Sequence, residues 1–223
     1  MKTRYGYRDA ISGFFEFPTD NARRILPPQF EPVEVHHGTS IFSMTAFDFN
    51  ESMVGPYGEV VMSVIVAPLL KPGERLPKSA FYPYRVATTT KAARDHAIER
   101  WHLPHWMEDV RLDFDRQGRR ITARVAAVDG EPLAELSISD HSWDSVSHLY
   151  QSFMKDTQGA YLANIVMEGV QSEHEEETGK LLLYEHAFNE DLVIPDVLDL
   201  PFRELWMRDG RQTFDPLIQL QTA

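Results

Sequence analysis

Glu59 stands in Gly55-Pro56-Tyr57-Gly58-Glu59-Val60, and residues 60–67 that follow are apolar but for one serine. A carboxyl group between a tyrosine and such a run is placed for partial burial. Burial disfavours the charged form and raises the pKa toward the range useful for proton transfer at neutral pH. The competing reading is a polar residue at the start of a strand. His105, in Pro104-His105-Trp106, is the second candidate. Imidazole titrates near neutrality, so His105 can serve as general acid or base, or sit in the core with its ring satisfied. Trp106 can form an apolar pocket wall or simply pack. His102-x-x-His105 and His36-His37 have suggestive metal spacing, but the first straddles Pro104 and lacks a matched third ligand. No metal site is expected. There is no Gly-x-Ser-x-Gly elbow, Walker loop or dinucleotide fingerprint, and no cofactor is expected.

The elements that must position these groups are mostly strands. Residues 14–17, 40–49, 60–67, 80–89, 111–114, 121–128, 131–139, 164–170, 180–184 and 202–207 have strand-like composition. The run 60–67 predicts a strand buried on both faces. Two helices are expected. One spans residues 21–26, capped by Thr19 or Asp20 and stopped by Pro27-Pro28. The other spans about residues 90–101, with a threonine cap and Pro104 beyond it. Residues 145–155 are a weaker third helix. The acidic stretch Glu173-His174-Glu175-Glu176-Glu177 reads as a solvated hairpin loop. Many strands and few short helices predict an antiparallel barrel or paired sheets.

Composition narrows the partners. The chain has 223 residues, 43% hydrophobic and 25% charged, as in a soluble globular protein. A net charge of −12 repels polyanions, and the basic residues are scattered, so nucleic acid is not an expected partner. No run of about 18 apolar residues predicts a membrane span. The N-terminal residues lack the apolar stretch of a signal peptide. The absence of cysteine excludes disulfides and thiolate chemistry and fits a reducing cytoplasm, the expected location.

Five ordered segments are similar to the acetoacetate decarboxylase superfamily. They are residues 14–28, ending Ala22-Arg23-Arg24-Ile25-Leu26-Pro27-Pro28 and followed by Phe30-Glu31-Pro32; the Tyr57-Gly58-Glu59 turn; the helix from Lys91 to Trp101 with Leu103-Pro104-His105-Trp106; Tyr184-Glu185-His186-Ala187-Phe188; and Leu200-Pro201-Phe202-Arg203-Glu204. Each is weak alone; together they cover roughly residues 8–207. The resemblance implies a mainly β, α+β fold: one domain over residues 1–223, an antiparallel β-barrel or cone with a few flanking helices. It also implies a homo-oligomer and a pocket inside the barrel.

The family's decarboxylation needs a lysine that attacks a β-keto acid to form an imine. In the family this lysine follows a proline in Pro-Lys-Lys. Here the matching stretch is Pro104-His105-Trp106, and imidazole forms no stable imine with a ketone. Lys91 lies about three helical turns earlier, too far to substitute. The resemblance further places Arg8 at the arginine near the substrate carboxylate, and Glu59 and Tyr57 in the pocket. It places Met44 at a second acidic position that has lost its charge. The resulting expectation is an enzyme acting on a small carbonyl or carboxylate compound, such as a keto acid, by acid–base chemistry: dehydration, cyclisation, tautomerisation or hydrolysis. Glu59 and His105 would be catalytic, and Arg8, Met44, Tyr57 and Trp106 would bind substrate. The alternatives are a non-catalytic binding protein of the same fold, and a decarboxylase with a relocated lysine.

Overall fold

The computed structural model describes residues 2–220. Seven strands close on themselves. Their order is β1 (Thr3–Pro18), β12 (Arg203–Phe214), β10 (Ala160–His174), β9 (Asp144–Lys155), β5 (Ser79–Thr88), β4 (Tyr57–Ile65) and β3 (Thr39–Glu51), and β3 pairs back onto β1. Short strands β2 (Glu34–His36) and β13 (Ile218–Leu220) extend β3 and β10. Neighbours run antiparallel except β5 and β9, which pair in parallel from Ser79↔Tyr150 to Phe81↔Ser152. A parallel joint requires a long crossover. Helix α2 (Lys91–Trp101) and the strands β6 (Val110–Gln117), β7 (Arg120–Ala127) and β8 (Pro132–Ser139) supply it. These three strands form a second sheet, completed by β11 (Lys180–Leu183) beside β8. Helix α1 (Thr19–Ile25) follows β1.

Strand alternation divides the apolar residues between two cores. On β4, Val60, Met62 and Val64 face outward, into a core shared with Ile121, Leu133, Leu136 and Ile138 of the second sheet. Val61 and Ile65 face inward, with Phe47, Met167 and Met207. This is the doubly buried strand that the run 60–67 predicts. Wrapping one face of the barrel with a sheet removes from water the apolar surface on both sides of its wall.

Three sequence expectations are corrected. Residues 145–155 form strand β9, not a helix. Val146, His148, Tyr150, Ser152 and Met154 alternate with period two, and pairing with β5 and β10 overrides the local helix signal. The acidic stretch at residues 173–177 links the two sheets rather than closing a hairpin, because β10 pairs with β9 and β12 whereas β11 pairs with β8. The first helix begins at Thr19 without a side-chain cap, and the Thr19 hydroxyl instead bonds Ser40 Oγ at 2.9 Å. Thr90 does cap α2, accepting from the Ala93 N–H. Among the described residues no helix is long and apolar enough to cross a membrane.

Candidate active site

The barrel interior holds a cavity of about 100 Å³. Ser12 on β1 and Thr45 on β3 face it and hydrogen-bond each other at 2.8 Å. Glu59, Val61 and Ser63 line it from β4, Tyr150 and Ser152 from β9, and Gln212 from β12. Phe14, Phe47, Phe81, Phe214 and Trp101 supply aromatic walls. No lysine or arginine is among its lining residues.

Glu59 is the only carboxyl group in that lining. Its backbone is fixed by pairing with Phe47 on one side and Thr88 on the other. Burial pushes its pKa up from 4.5 to about 8, and a hydrogen bond with the Tyr57 side chain offsets part of the rise. Glu59 is therefore mostly a neutral acid at pH 7 and becomes a carboxylate above about pH 8. Tyr57 is itself held far above the ordinary phenol range, by burial first and by Glu59 and Tyr5 next. The glycine between them answers a packing demand. A Cβ at Gly58 would stand 3.0 Å from both Leu112 Cδ2 and Thr89 Cγ2, so the second sheet and the β5–α2 turn close in on this point.

Helix α2 contributes a second polar group. Trp101 Nε1 donates to the Tyr5 hydroxyl at 2.7 Å, and that hydroxyl lies 2.7 Å from His96 Nε2. Tyr5 accepts from Trp101, and its own hydroxyl proton can be given to Nε2 when His96 is neutral. Burial and nearby Arg100 lower the His96 pKa, which favours that neutral form. Tyr5 also feels the Glu59 charge, and its pKa is raised chiefly by burial. Rings join the two groups: Tyr57 packs on Phe49 with centroids 4.9 Å apart, and Phe49 packs on Tyr5 at 5.6 Å. Sequence reasoning missed Tyr5, His96 and Trp101. Tyr5 and Trp101 are 96 residues apart, and no local pattern joins them.

The structure brings Glu59 and Tyr57 together, and of the sequence-derived candidates only Glu59 is in the cavity lining. Arg8 has 60% of its side chain exposed and grips Asp48 with two bonds, of 2.8 and 3.1 Å. A gapless count puts Arg8 in phase with Ala10 and Ser12, which line the cavity. A bulge intervenes: Tyr7 pairs with Phe49 and Asp9 with Asp48, leaving Arg8 as the extra residue that turns out. Met44 is fully buried but belongs to the outer core, and Thr45 next to it takes the inward position. His105 is held where its backbone bridges Val86 of β5. Its Nδ1 lies 2.6 Å from the Trp106 carbonyl, its Nε2 is buried without a partner, and burial lowers its pKa. Its charged neighbours are Arg94, Asp109 and Asp95, not Glu59. Trp106 packs edge-on against Phe188 and His186, with the Arg85 guanidinium 5.5 Å from its ring centre. Lys91 is exposed on α2 and paired with Asp95.

No protein-family model matches the chain, and no curated protein matches it. Solved structures do. An acetoacetate decarboxylase superposes with a TM-score of 0.63 at 13% identity, covering 98% of this chain and 90% of its own. The enduracididine biosynthesis enzyme MppR, solved with pyruvate, gives 0.62 at 11% identity over 99% and 91%. The acetoacetate decarboxylase of Legionella pneumophila gives 0.61 at 14% identity over 98% and 87%. The chain has the acetoacetate decarboxylase-like fold. Two of the sequence segments prove to be supports of that fold. His186 Nδ1 accepts from the Phe188 N–H and caps a short 3-10 turn. Glu204, fully buried, accepts backbone N–H bonds from Ser139, Thr178 and Gly179 at 2.7, 2.7 and 2.6 Å. In this acetoacetate decarboxylase-like barrel, Glu59 alone of the quoted motif residues reaches the cavity as an ionisable group.

Proposed function

We propose that the protein is an enzyme that moves a proton beside the carbonyl of a small molecule held in the barrel, with Glu59 as acid and base and without an imine. The observation that carries the reading is a lone carboxyl in a mainly apolar cavity inside the barrel, with its pKa raised to about 8. Such a group exchanges protons in both directions near neutral pH. The solved proteins of this fold support a small-molecule enzyme, and MppR has been seen with pyruvate bound.

The chemistry balances with the groups in the cavity. The Glu59 carboxylate takes a proton from the carbon next to the carbonyl. The C–H electron pair becomes a C=C bond as the carbonyl pair moves onto oxygen. The Ser12–Thr45 pair uses one hydroxyl proton in its mutual bond, so the second can donate to that oxygen. Return of the proton from Glu59 to a different atom completes a tautomerisation. Alternatively, Glu59 gives that proton to a β-hydroxyl, which leaves as water while the enolate pair re-forms the carbonyl and the C=C bond shifts to the β-carbon, a dehydration that restores the Glu59 carboxylate.

Proton exchange tests this without knowledge of the natural substrate. In D₂O, 4-methyl-2-pentanone should exchange its α-protons faster with the protein than without it, followed by proton NMR. The enhancement should rise through about pH 8 as Glu59 ionises, and Glu59→Gln should abolish it. Equal exchange in Glu59→Gln would overturn the reading. Binding with no exchange in either protein would favour a non-catalytic binding role.

A further inference from the structure

We infer that the cavity takes a neutral carbonyl compound and rejects carboxylates. This rests on the reading of the Glu59 cavity as the active site and names its substrate class. Apart from Glu59 and the indole N–H of Trp101, which is given to Tyr5, the polar groups in the lining are hydroxyls and an amide: Ser12, Thr45, Ser63, Ser152, Tyr150 and Gln212. These groups can donate to a carbonyl oxygen but cannot neutralise a charge. A carboxylate brought inside would lie unpaired among Phe14, Phe47, Phe81 and Phe214, in a space that also holds a carboxyl group. An uncompensated charge in such surroundings is strongly unfavourable, and an adjacent Glu59 carboxylate would add repulsion.

Four cations have partners outside the cavity. Arg8 points out to Asp48. Near Tyr150, Lys78 pairs with Glu173, and Arg203 lies 2.6 Å from Glu175 and 3.8 Å from Glu173. Near Tyr5, Arg100 stands over the Trp101 ring and bonds Thr3 Oγ1. None of these lines the cavity. The departure from a keto-acid site is therefore a matter of charge as well as of the missing nucleophile.

Three ligands of equal heavy-atom count separate the classes: acetoacetate, its amide acetoacetamide, and 4-methyl-2-pentanone. Isothermal titration of the wild-type protein at pH 6.5 should show the two neutral ketones binding about 100-fold more tightly than the anion. Isopentylammonium tests the opposite charge and should also bind more weakly than the ketones. At pH 9.5 the gap to acetoacetate should widen in the wild type and stay constant in Glu59→Gln. Acetoacetate or isopentylammonium binding as tightly as the ketones would overturn the inference, and so would failure of both ketones to bind. The proton-exchange assay is scored separately. Preferred binding of acetoacetate with intact Glu59-dependent exchange removes the substrate class and leaves the acid–base role. Preference for neutral ligands without exchange does the reverse.

Discussion

At the scale of single residues, Glu59 ties chemistry to stability. Its folded pKa of about 8 lies above the ordinary 4.5, so the folded protein keeps a proton that the unfolded chain releases. The contribution to stability is fully present below about pH 4.5 and is lost as pH rises through about 8. A loss on the order of a few kcal/mol across that window follows from a shift of this size. Glu59→Gln should flatten it. Urea unfolding of both proteins at pH 6 and pH 9 should show the wild type falling further than the variant, and parallel profiles would contradict the assignment. Tyr5 makes a separate prediction. Tyr5→Phe removes the acceptor of Trp101 Nε1 and the hydrogen-bond partner of His96 Nε2. The stranded buried indole N–H should cost about 1–3 kcal/mol. The His96 ring should also change its tautomer or pKa, which ¹⁵N NMR of the imidazole reads directly.

At the scale of elements, β-bulges decide which residues see the cavity. The bulge at Arg8 switches β1 from inward Tyr5 and Tyr7 to inward Ala10, Ser12 and Phe14. A second irregularity on β10 lies between Glu168 and Val170, where Gly169 and Gly210 bring two strands close to Tyr7. A Cβ on Gly210 would stand 2.3 Å from the Glu168 carbonyl and 2.3 Å from the Tyr7 hydroxyl. Both strands would have to part to admit it. Gly210→Ala should therefore destabilise the fold by about 1–3 kcal/mol, measured as a lowered urea midpoint. An unchanged midpoint would show that this contact is looser than its geometry indicates.

At the scale of the whole molecule, the barrel and the second sheet are joined through buried polar groups as well as a shared apolar core. Asp9 on β1 accepts from Trp206 of β12 at 2.8 Å and pairs with Arg116 of β6. Glu204 on β12 gathers the end of β8 and the loop before β11 with its three backbone bonds. Glu204→Leu would leave those N–H groups without an acceptor. At about 1–3 kcal/mol for each unsatisfied donor, the expected loss is on the order of 3–5 kcal/mol, large enough to lower the melting temperature by many degrees. Calorimetry would check it. A Tm within two or three degrees of wild type, roughly the shift for 1 kcal/mol in a chain of this size, would contradict this account.

Closure into a barrel rested on the resemblance of ordered segments, since alternation alone left paired sheets open. The sequence by itself determined the mainly β content, the doubly buried β4, helix α2 with a threonine cap, and Glu59 beside Tyr57 as a candidate for burial and a raised pKa. These follow from patterns within a few residues: alternation, an apolar run and capping chemistry. Tertiary structure alone decided which side chains share the cavity. The bulge that turns Arg8 out changes strand phase without changing composition. The parallel β5–β9 joint makes a strand of residues 145–155 that read locally as helix. The Tyr5–His96–Trp101 group meets only because the barrel closes β1 against the helix that crosses its end. Most consequential is the charge balance of the cavity. Arginines and lysines are present throughout the chain, and only folding shows that none of them is among the residues lining the space where Glu59 sits.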